Sequence, residues 1–281
     1  MDVDPLADTV PPRYAIESDD EDEYNPQPQH PTQTPTTDIK FIGKFPSGLP
    51  LVFASGDAGE SWARGAKLGP PQGGIYVDNE QVGILFLPLW TQAAVIVSET
   101  SMHLPLSVMN NYTTAIIDHI QPARVSVLDT YSVQGYISPK VVPLDNAPVR
   151  YLSLGDVTIS DPEIELFAPP NLVQSTTASL LARLLVRSLP LKLTKNYDAA
   201  LFLLPSPKLP LALPTTITPS PSDDIHWDQR IMQKVHRLLF EVIGEGENVD
   251  PWVETSDRLS KLSVAHQRRR AEEIGEGGMY I

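Results

Sequence analysis

Apolar residues occur in short runs from about residue 39 onward, separated by segments rich in proline, glycine and polar residues. Most of the runs are apolar at every position rather than at alternate positions. That pattern is typical of strands that are covered on both faces of a sheet. Six runs therefore predict strands, at residues 49–54, 82–87, 94–98, 125–128, 149–154 and 199–204.

Three segments between or after these runs have apolar residues at helical spacing. In residues 105–120, Met109, Tyr112 and Ile116 recur at intervals of three and four, which places them on one face of a helix. Residues 171–188 follow a pair of prolines and carry five apolar residues with similar spacing: Val173, Leu180, Leu181, Leu184 and Leu185. Residues 225–243 carry a third stripe, which precedes a glycine expected to end the helix: Ile231, Val235, Leu238, Leu239 and Val242.

The alternation of strands and helices predicts an α/β fold, with a mostly parallel sheet and helices on both faces. We expect a single folded domain over residues 39–249, in which the proline-rich residues 205–224 form an extended surface loop. Residues 1–38 are predicted to be a disordered extension. Residues 250–281 are predicted to form a C-terminal helix that starts at Asp250-Pro251, followed by a flexible tail.

The negative charge of the chain is concentrated in its N-terminal segment. Residues 1–38 hold ten acidic residues, seven prolines and one basic residue, Arg13, so they carry −9 of the total charge of −14. The remaining residues carry only −5 and are close to balanced. An overall negative charge argues against nucleic acid or an anionic membrane as the partner.

The composition also restricts the cellular compartment. The chain has no cysteine, which excludes a disulfide framework, a thiolate metal site and a cysteine nucleophile. Residues 1–5 are acidic and are not followed by the apolar core of a secretory signal. No apolar run approaches the roughly 20 residues that a membrane-spanning helix needs. We therefore expect a protein of the cytosol or the nucleus.

The common catalytic signatures are missing from the sequence. It contains no G-x-x-x-x-G-K-[ST] loop, no G-x-S-x-G elbow and no H-E-x-x-H zinc motif. His226 and His236 are predicted to share one helix but to lie on opposed faces, so they are not expected to bind a metal together. Asp118 and His119 are adjacent at a helix end, but no third member of a catalytic group is visible.

Two glycine-rich segments are interpreted as turns. Residues 56–60 follow a predicted strand, but they lack a third glycine and a basic residue, and Glu60 would repel an anion. Residues 69–74 contain two prolines and are interpreted in the same way. Convergent polar groups at the carboxyl ends of strands, which an α/β enzyme would need, are not visible in the sequence. We therefore predict no catalytic residue, no cofactor and no metal ligand.

The chain ends in an apolar segment that follows a flexible polar one. Residues 275–278 are Gly-Glu-Gly-Gly, and Met279, Tyr280 and Ile281 come after them. A basic side chain or a set of backbone N–H groups can capture a terminal carboxylate, and Tyr280 would add a large apolar ring with a hydroxyl group. Because the spacer is flexible, these three residues are predicted to enter a partner's pocket while the domain sits elsewhere.

Two segments of the chain resemble known proteins. Residues 166–173, Leu-Phe-Ala-Pro-Pro-Asn-Leu-Val, together with Ala178-Ser179-Leu180-Leu181, resemble the proteasome assembly chaperone family, in which such a segment opens a helix of an α/β domain. This resemblance covers roughly residues 80–245. Residues 279–281 are similar to the hydrophobic-tyrosine-any tails of proteins that dock onto the proteasome core particle.

The resemblance implies a chaperone, and not an enzyme, for assembly of the 20S proteasome core particle. Such a protein would pair with a related chaperone resembling proteasome assembly chaperone 2 and would bind the outer face of the ring of α-type subunits. Met279, Tyr280 and Ile281 would insert between neighbouring α-type subunits, where a lysine would meet the carboxylate of Ile281. Two alternatives stay open: an α/β enzyme of the nucleoside-phosphorylase or hydrolase type with an unrecognised site, and an adaptor that binds through residues 1–38.

Overall fold

Eleven strands and four helices make up the part of the chain that the structure describes, a computed structural model of residues 37–140, 142–189, 197–209, 212–220, 225–246 and 249–254. The strands are β1 (Ile39–Gly43), β2 (Leu51–Ser55), β3 (Gly73–Val77), β4 (Glu80–Phe86), β5 (Ala94–Ser98), β6 (Met102–His103), β7 (Arg124–Ser132), β8 (Val149–Leu154), β9 (Ile164–Leu166), β10 (Asp198–Ser206) and β11 (Thr218–Pro219). The helices are α1 (Gly56–Gly65), α2 (Leu106–Ile120), α3 (Thr176–Ser188) and α4 (Gln229–Val242).

Nine of the strands form one sheet in the order β1-β3-β4-β5-β2-β7-β10-β8-β9. The four central strands, β5, β2, β7 and β10, run parallel to one another. The pairing becomes antiparallel at β4 on one side and at β8 on the other, and β9 is again parallel to β8. The predicted α/β class is confirmed, with parallel pairs in the centre and antiparallel pairs, such as the β3-β4 hairpin, nearer the edge.

The central strands are buried on both faces, in agreement with their continuous apolar runs. In β2, Leu51 and Phe53 belong to one core layer and Val52 and Ala54 to the other, because successive side chains of a strand point to opposite faces. Helices α2 and α3 cover the first layer, and α1 and α4 cover the second. Each fully buried large apolar side chain contributes about 1.5–3 kcal/mol, so these two layers are the main source of stability.

A capping side chain decides where α4 begins. The helix starts only at Gln229, because the carboxylate of Asp228 accepts a backbone N–H of the first turn at 3.0 Å. His226 therefore lies before the helix. The prediction that His226 and His236 share one helix is wrong.

Helix α3 begins at Thr176 and not directly after the proline pair at residues 169–170. The hydroxyl oxygen of Ser175 accepts the backbone N–H of Ala178 at 3.4 Å and caps the first turn. Residues 171–174 thus form a loop ahead of the helix, and their polar groups are available for contacts elsewhere.

Residues 56–60 form the first turn of α1, so their interpretation as an isolated turn is wrong. Gly56 has a φ of +57°, which glycine adopts without strain. At Gly59 an added Cβ would lie 2.7 Å from the carbonyl carbon of Ala54, because the helix passes close to β2. Close packing, and not only turn geometry, therefore accounts for the glycine at position 59.

Residues 69–74 also differ from the prediction of a turn, because β3 begins at Gly73.

Several predicted segments lie wholly or partly outside the described residues. These are the N-terminal extension up to residue 36 and the C-terminal segment from residue 255. Residues 249–254, which the structure does describe, do not form the helix expected from Pro251. Within the proline-rich segment 205–224, β10 continues to Ser206, and Thr218–Pro219 forms β11 against β6.

Candidate functional site

The predicted docking residues, Met279, Tyr280 and Ile281, lie outside the described residues, as does the glycine-rich spacer before them. The structure does describe the place where the segment carrying them leaves the domain. Residues 249–254 lie against α1 and α4, and the contacts of this short segment determine where the tail is attached.

Trp252 holds this segment to the domain. Its side chain is only 2% exposed, and its indole N–H donates to the backbone oxygen of Trp62 at 2.8 Å. The backbone N–H of Val253 donates to the oxygen of Gly65 at 3.2 Å, and the Gln233 amide donates to the oxygen of Trp252 at 3.3 Å. An added Cβ at Gly65 would lie 2.3 Å from the Trp252 indole. Glycine at position 65 therefore makes room for the indole.

His236 supports the same segment from α4. The indole N–H of Trp62 donates to Nδ1 of His236 at 3.1 Å, and Nε2 of His236 lies 2.9 Å from the backbone oxygen of Asp250. Since Nδ1 accepts, the ring is neutral and carries its hydrogen on Nε2. Burial lowers the pKa of His236 to about 4, which keeps the ring in this form at neutral pH.

The described end of the segment lies on the side of the sheet where the parallel strands end. Glu254 is 3.9 Å from Nδ1 of His226. The neighbouring Trp227 donates its indole N–H to the backbone oxygen of Pro205, near the carboxyl end of β10, at 2.7 Å. The tail therefore begins close to the carboxyl end of β10.

The sequence predicted no cluster of polar groups at the carboxyl ends of the strands, but the structure contains one, around Glu99 and Asp129. Glu99, directly after β5, is 5% exposed. Its carboxyl group accepts the hydroxyl hydrogen of Ser55 at 3.2 Å and the backbone N–H of Leu104 at 3.0 Å. Burial raises the pKa of Glu99, although these hydrogen bonds act in the opposite direction.

Asp129 in β7 is the second carboxyl group of this polar cluster. It accepts the hydroxyl hydrogen of Thr177 at 2.5 Å and the backbone N–H of Thr130 at 2.7 Å. Burial raises the pKa of Asp129, and the charge of Asp57 raises it further. Asp57 in turn lies 2.7 Å from the ammonium group of Lys208. Carboxyl groups can donate and accept protons, and internal hydrogen bonds occupy both of these carboxyl groups.

A simple sequence signal could have located this polar cluster. Glu99 directly follows the apolar run 94–98, and Asp129 directly follows the run 125–128. In a parallel sheet the ends of such runs lie side by side, so a polar residue at each end predicts a cluster.

The adjacent Asp118 and His119, considered as a possible acid–base pair, do not act together in the structure. Asp118 forms a salt bridge with Arg187 of α3. The ring of His119 stacks on Phe41 with a centroid distance of 4.4 Å. Among the described residues, no group of three or more histidine, aspartate or glutamate side chains is placed to hold a metal ion. No described helix combines the length and apolar composition needed to cross a bilayer.

A cavity of about 340 Å³ lies beyond the carboxyl end of β7, between the loop of residues 133–148 and β8. Its walls combine apolar side chains, two tyrosines and two cationic groups. The lining residues are Tyr131, Val133, Gln134, Tyr136, Ser138, Lys140, Val142, Pro143, Leu144, Ala147, Pro148, Arg150 and Pro207. No acidic residue is among them.

Arg150 is the fixed cationic group of the cavity. It is 6% exposed, and its guanidinium carbon lies 3.8 Å from the ring centre of Tyr136. One terminal nitrogen donates to the oxygen of Leu166 at 3.3 Å, and the other lies 3.0 Å from the carboxylate of Glu165, which is largely exposed. Among the described residues, its Nε has no hydrogen-bond partner.

The segment that carries the family resemblance contacts the loop that lines this cavity. The amide group of Asn171 accepts the backbone N–H of Ile137 at 2.7 Å and donates to the oxygen of Ile137 at 2.9 Å. Next to it, the backbone N–H of Ala168 donates to the hydroxyl oxygen of Tyr136 at 3.2 Å. Residues 166–173 therefore hold the cavity loop in place, a role that their sequence alone does not reveal.

Comparisons with known proteins found no matching family model and no matching curated protein. Solved structures do resemble the fold. PbaA of Pyrococcus furiosus, an archaeal homolog of proteasome-assembly chaperone, is 10% identical with a TM-score of 0.46, over 84% of this chain and 97% of that chain. PbaB of the same organism, an archaeal proteasome activator, is 9% identical with a TM-score of 0.45, over 85% and 96%.

A Mycobacterium tuberculosis proteasome-assembly chaperone homologue is 13% identical with a TM-score of 0.38, over 81% of this chain and 97% of that chain. Structures of proteasome-assembly chaperone homologues are thus among the solved structures that resemble this chain. At these identities and TM-scores, the likeness describes the arrangement of strands and helices and nothing further.

Proposed function

We propose that this protein is a chaperone for assembly of the 20S proteasome core particle and that it acts by binding rather than by catalysis. The observation that carries the proposal is the sequence Met279-Tyr280-Ile281, which follows a glycine-rich spacer in a chain with an α/β domain. Within the proteasome assembly chaperone family, its length, acidic extension and tail most resemble proteasome assembly chaperone 1 of the fungal type. It would act in the cytosol or the nucleus.

The proposed complex is a heterodimer with a protein that resembles proteasome assembly chaperone 2. This heterodimer would bind the outer face of the ring of α-type subunits. The carboxylate of Ile281 would pair with a lysine between two neighbouring subunits, and the ring of Tyr280 would fill the apolar part of that pocket. The chaperone would stabilise the ring and exclude other proteins that use the same pockets.

The clamped segment at Trp252 gives the tail a defined point of attachment, which supports this mode of binding. Residues 255–281 comprise 27 residues. A flexible chain of that length spans roughly 30 Å, at about 5–6 Å × √n. Once the domain rests on the α-ring, the tail would sample the neighbouring pockets at an effective concentration on the order of 1 mM.

Binding to core particles tests the proposal directly. The full chain and a variant lacking residues 279–281 would each be co-expressed with the candidate partner and mixed with core particles. We expect the truncated form to bind at least about tenfold more weakly, because a buried aromatic anchor and a paired carboxylate are both lost. Native gels and a titration would measure the difference.

Matched variants sharpen this test. Ile281→Val keeps the hydrophobic-tyrosine-any pattern and should bind like the unaltered chain. Tyr280→Ala should behave like the truncated form. Equal binding by the truncated and full chains would show that the tail is not an anchor, and no binding by either would contradict the chaperone proposal.

The polar cluster around Glu99 and Asp129 favours a second candidate function, an α/β enzyme of the nucleoside-phosphorylase or hydrolase type. Its carboxyl groups lie at the strand ends where ligands bind in such sheets, and burial raises the pKa of both. Turnover of nucleosides with phosphate, abolished in Glu99→Gln and Asp129→Asn, would support the enzyme. Absence of turnover, with both variants still binding core particles, would leave the cluster as part of the fold.

A further inference from the structure

The cavity bounded by Tyr131, Tyr136, Lys140 and Arg150 differs in charge from the protein as a whole. The chain carries −14, yet the cavity has two cationic side chains and no acidic one in its lining. Its volume of about 340 Å³ suits one or two residues at the end of a peptide, not a folded domain. Pockets that bind ligands commonly begin at roughly this size.

Arg150 indicates that the ligand has a negatively charged oxygen. Its guanidinium group is already oriented by the ring of Tyr136 and by the oxygen of Leu166, and one terminal nitrogen pairs with the largely exposed carboxylate of Glu165. Its Nε is buried and has no partner among the described residues. Because buried donors are nearly always paired in proteins, a donor of this kind points to an acceptor supplied by a ligand. Lys140 adds a second cation at the exposed side of the cavity.

The remaining walls indicate that the ligand also has an apolar body. Val133, Val142 and Leu144 line the cavity together with the two tyrosine rings. A tyrosine is already neutral at neutral pH, and burial raises the pKa of Tyr131 further, so this phenol adds no negative charge. A peptide ending in an aromatic and an aliphatic residue offers both parts, an apolar body and a carboxylate.

The C-terminal residues of this chain have that chemistry, and the segment that carries them starts near the carboxyl end of β10. Glu254, the last described residue, contacts His226. The adjacent Trp227 is hydrogen-bonded to Pro205, two residues before the cavity residue Pro207. The 27 residues that follow Glu254 reach up to about 90 Å when fully extended, at about 3.3 Å per residue.

We propose that this cavity binds the chain's own C-terminal residues, Tyr280 and Ile281, when the protein is not on the core particle. The carboxylate of Ile281 meets Arg150 and Lys140, and the apolar side chains occupy the walls. This proposal rests on the proposed function, since it assumes that the tail is the docking element. The self-docked tail is unavailable to other partners until a better pocket competes for it.

The expected effect follows from competition between the two pockets. The tether gives the tail an effective concentration on the order of 1 mM near its own domain. If the free tail peptide binds the cavity with a Kd on the order of 0.1 mM, the tethered tail is docked about 90% of the time. Its apparent affinity for an outside pocket is then reduced about tenfold.

A labelled synthetic peptide of residues 270–281 tests the inference through fluorescence anisotropy. It is titrated with the full chain and with the variant lacking residues 279–281. We expect the truncated chain to bind the peptide with a Kd on the order of 0.1 mM, and the full chain to bind it about tenfold more weakly because its own tail competes. The same peptide with an amidated C-terminus should bind at least about tenfold more weakly to the truncated chain.

Variants in the truncated chain locate the binding site. Lys140→Gln is exposed and should weaken peptide binding several-fold without affecting the fold. Lys44→Gln, an exposed lysine near β1 and away from the cavity, is the matched control and should have no effect. Tyr136→Leu gives a second variant that reports on the apolar wall, with circular dichroism to confirm that it folds.

Three results would overturn the inference. The peptide does not bind the truncated chain, or it binds Lys140→Gln and Lys44→Gln equally well, or it binds the full and truncated chains equally well. In the last case the cavity binds the free peptide, but the tethered tail does not occupy it. None of these results changes whether the tail binds core particles, so the proposed function is tested separately.

Discussion

At the scale of single residues, the informative positions are buried groups whose chemistry depends on one neighbour. His236 accepts a hydrogen bond from Trp62 through Nδ1, and it can do so only while that nitrogen is unprotonated. Glu99 and Arg150 are likewise buried and polar, and each contacts groups from other elements of the fold. The partners of such residues, and not the residue type, decide what they do.

The stability of the domain should fall in mild acid because of His236. Burial lowers the pKa of His236 in the folded state to about 4, from an ordinary value near 6.5. Between these two pKa values the unfolded chain binds more protons at His236 than the folded chain does. The contribution of His236 to the free energy of unfolding is therefore fully present above about pH 6.5 and decreases as the pH falls toward 4. We expect a loss of about 2 kcal/mol from this residue between pH 7 and pH 4.5.

Urea unfolding of the protein and of His236→Gln at several pH values measures this loss. The glutamine cannot be protonated, so the difference in unfolding free energy between the two proteins should shrink as the pH falls. A difference that stays constant from pH 7 to pH 4.5 would show that His236 is not the titrating group.

At the scale of elements, helix α1 shows how a glycine can be required by packing. Gly59 lies against β2, and Gly65 lies against the indole of Trp252. Both positions are in a helix, where glycine is intrinsically unfavourable by about 1 kcal/mol relative to alanine. Glycine is present at both because a Cβ would meet other atoms at less than 3 Å. The helix is therefore defined by its contacts and not by local preference.

Gly65→Ala should displace Trp252 and destabilise the domain, although alanine favours a helix. Loss of a buried tryptophan costs about 3–5 kcal/mol when it is replaced by alanine. We expect Trp252→Ala to cost about 3–5 kcal/mol and Gly65→Ala about 2–4 kcal/mol, and the double variant to cost clearly less than their sum, because both remove the same contact. Urea unfolding of the three variants measures this coupling. Additive costs would mean that the two residues do not act on one another.

At the scale of the whole molecule, most of the negative charge and the proposed docking residues lie at opposite ends of the chain, and the apolar core lies between them. Residues 1–38 hold −9 of the total charge, and the tail residues lie at the other end. The two core layers are formed mostly by residues of the sheet and helices, and Trp252 of the C-terminal segment packs into the second layer. Removal of the last C-terminal residues should therefore weaken binding with little change in the stability of the domain.

Removal of residues 279–281 should leave the stability of the domain nearly unchanged. No described core residue depends on them, and release of the self-docked tail would cost the free chain only about 1.4 kcal/mol, the equivalent of a tenfold equilibrium. We expect the thermal midpoint to move by a few degrees at most. Thermal unfolding followed by circular dichroism checks this, and a much larger shift would show that the tail is part of the folded core.

Sequence patterns predicted the strands at the centre of the sheet and three of the four helices, because burial on both faces and helical spacing leave local traces. They did not predict α1, since its glycines are typical of a turn unless the neighbouring β2 is known. They also did not predict the polar cluster, the cavity or the clamp at Trp252. In the clamp, Trp252 bonds to Trp62, 190 residues away in the sequence.

The sequence by itself determined the α/β class, the buried central strands and the chemistry of the C-terminal residues. Each of these follows from composition and spacing within a short segment. The tertiary structure alone decided which polar side chains meet at the strand ends, which aromatic and cationic groups enclose the cavity, and where the tail is attached. All three features depend on contacts between residues far apart in the chain. The free energy of such contacts comes from burial and geometry in the folded state, which cannot be predicted from a short segment of sequence.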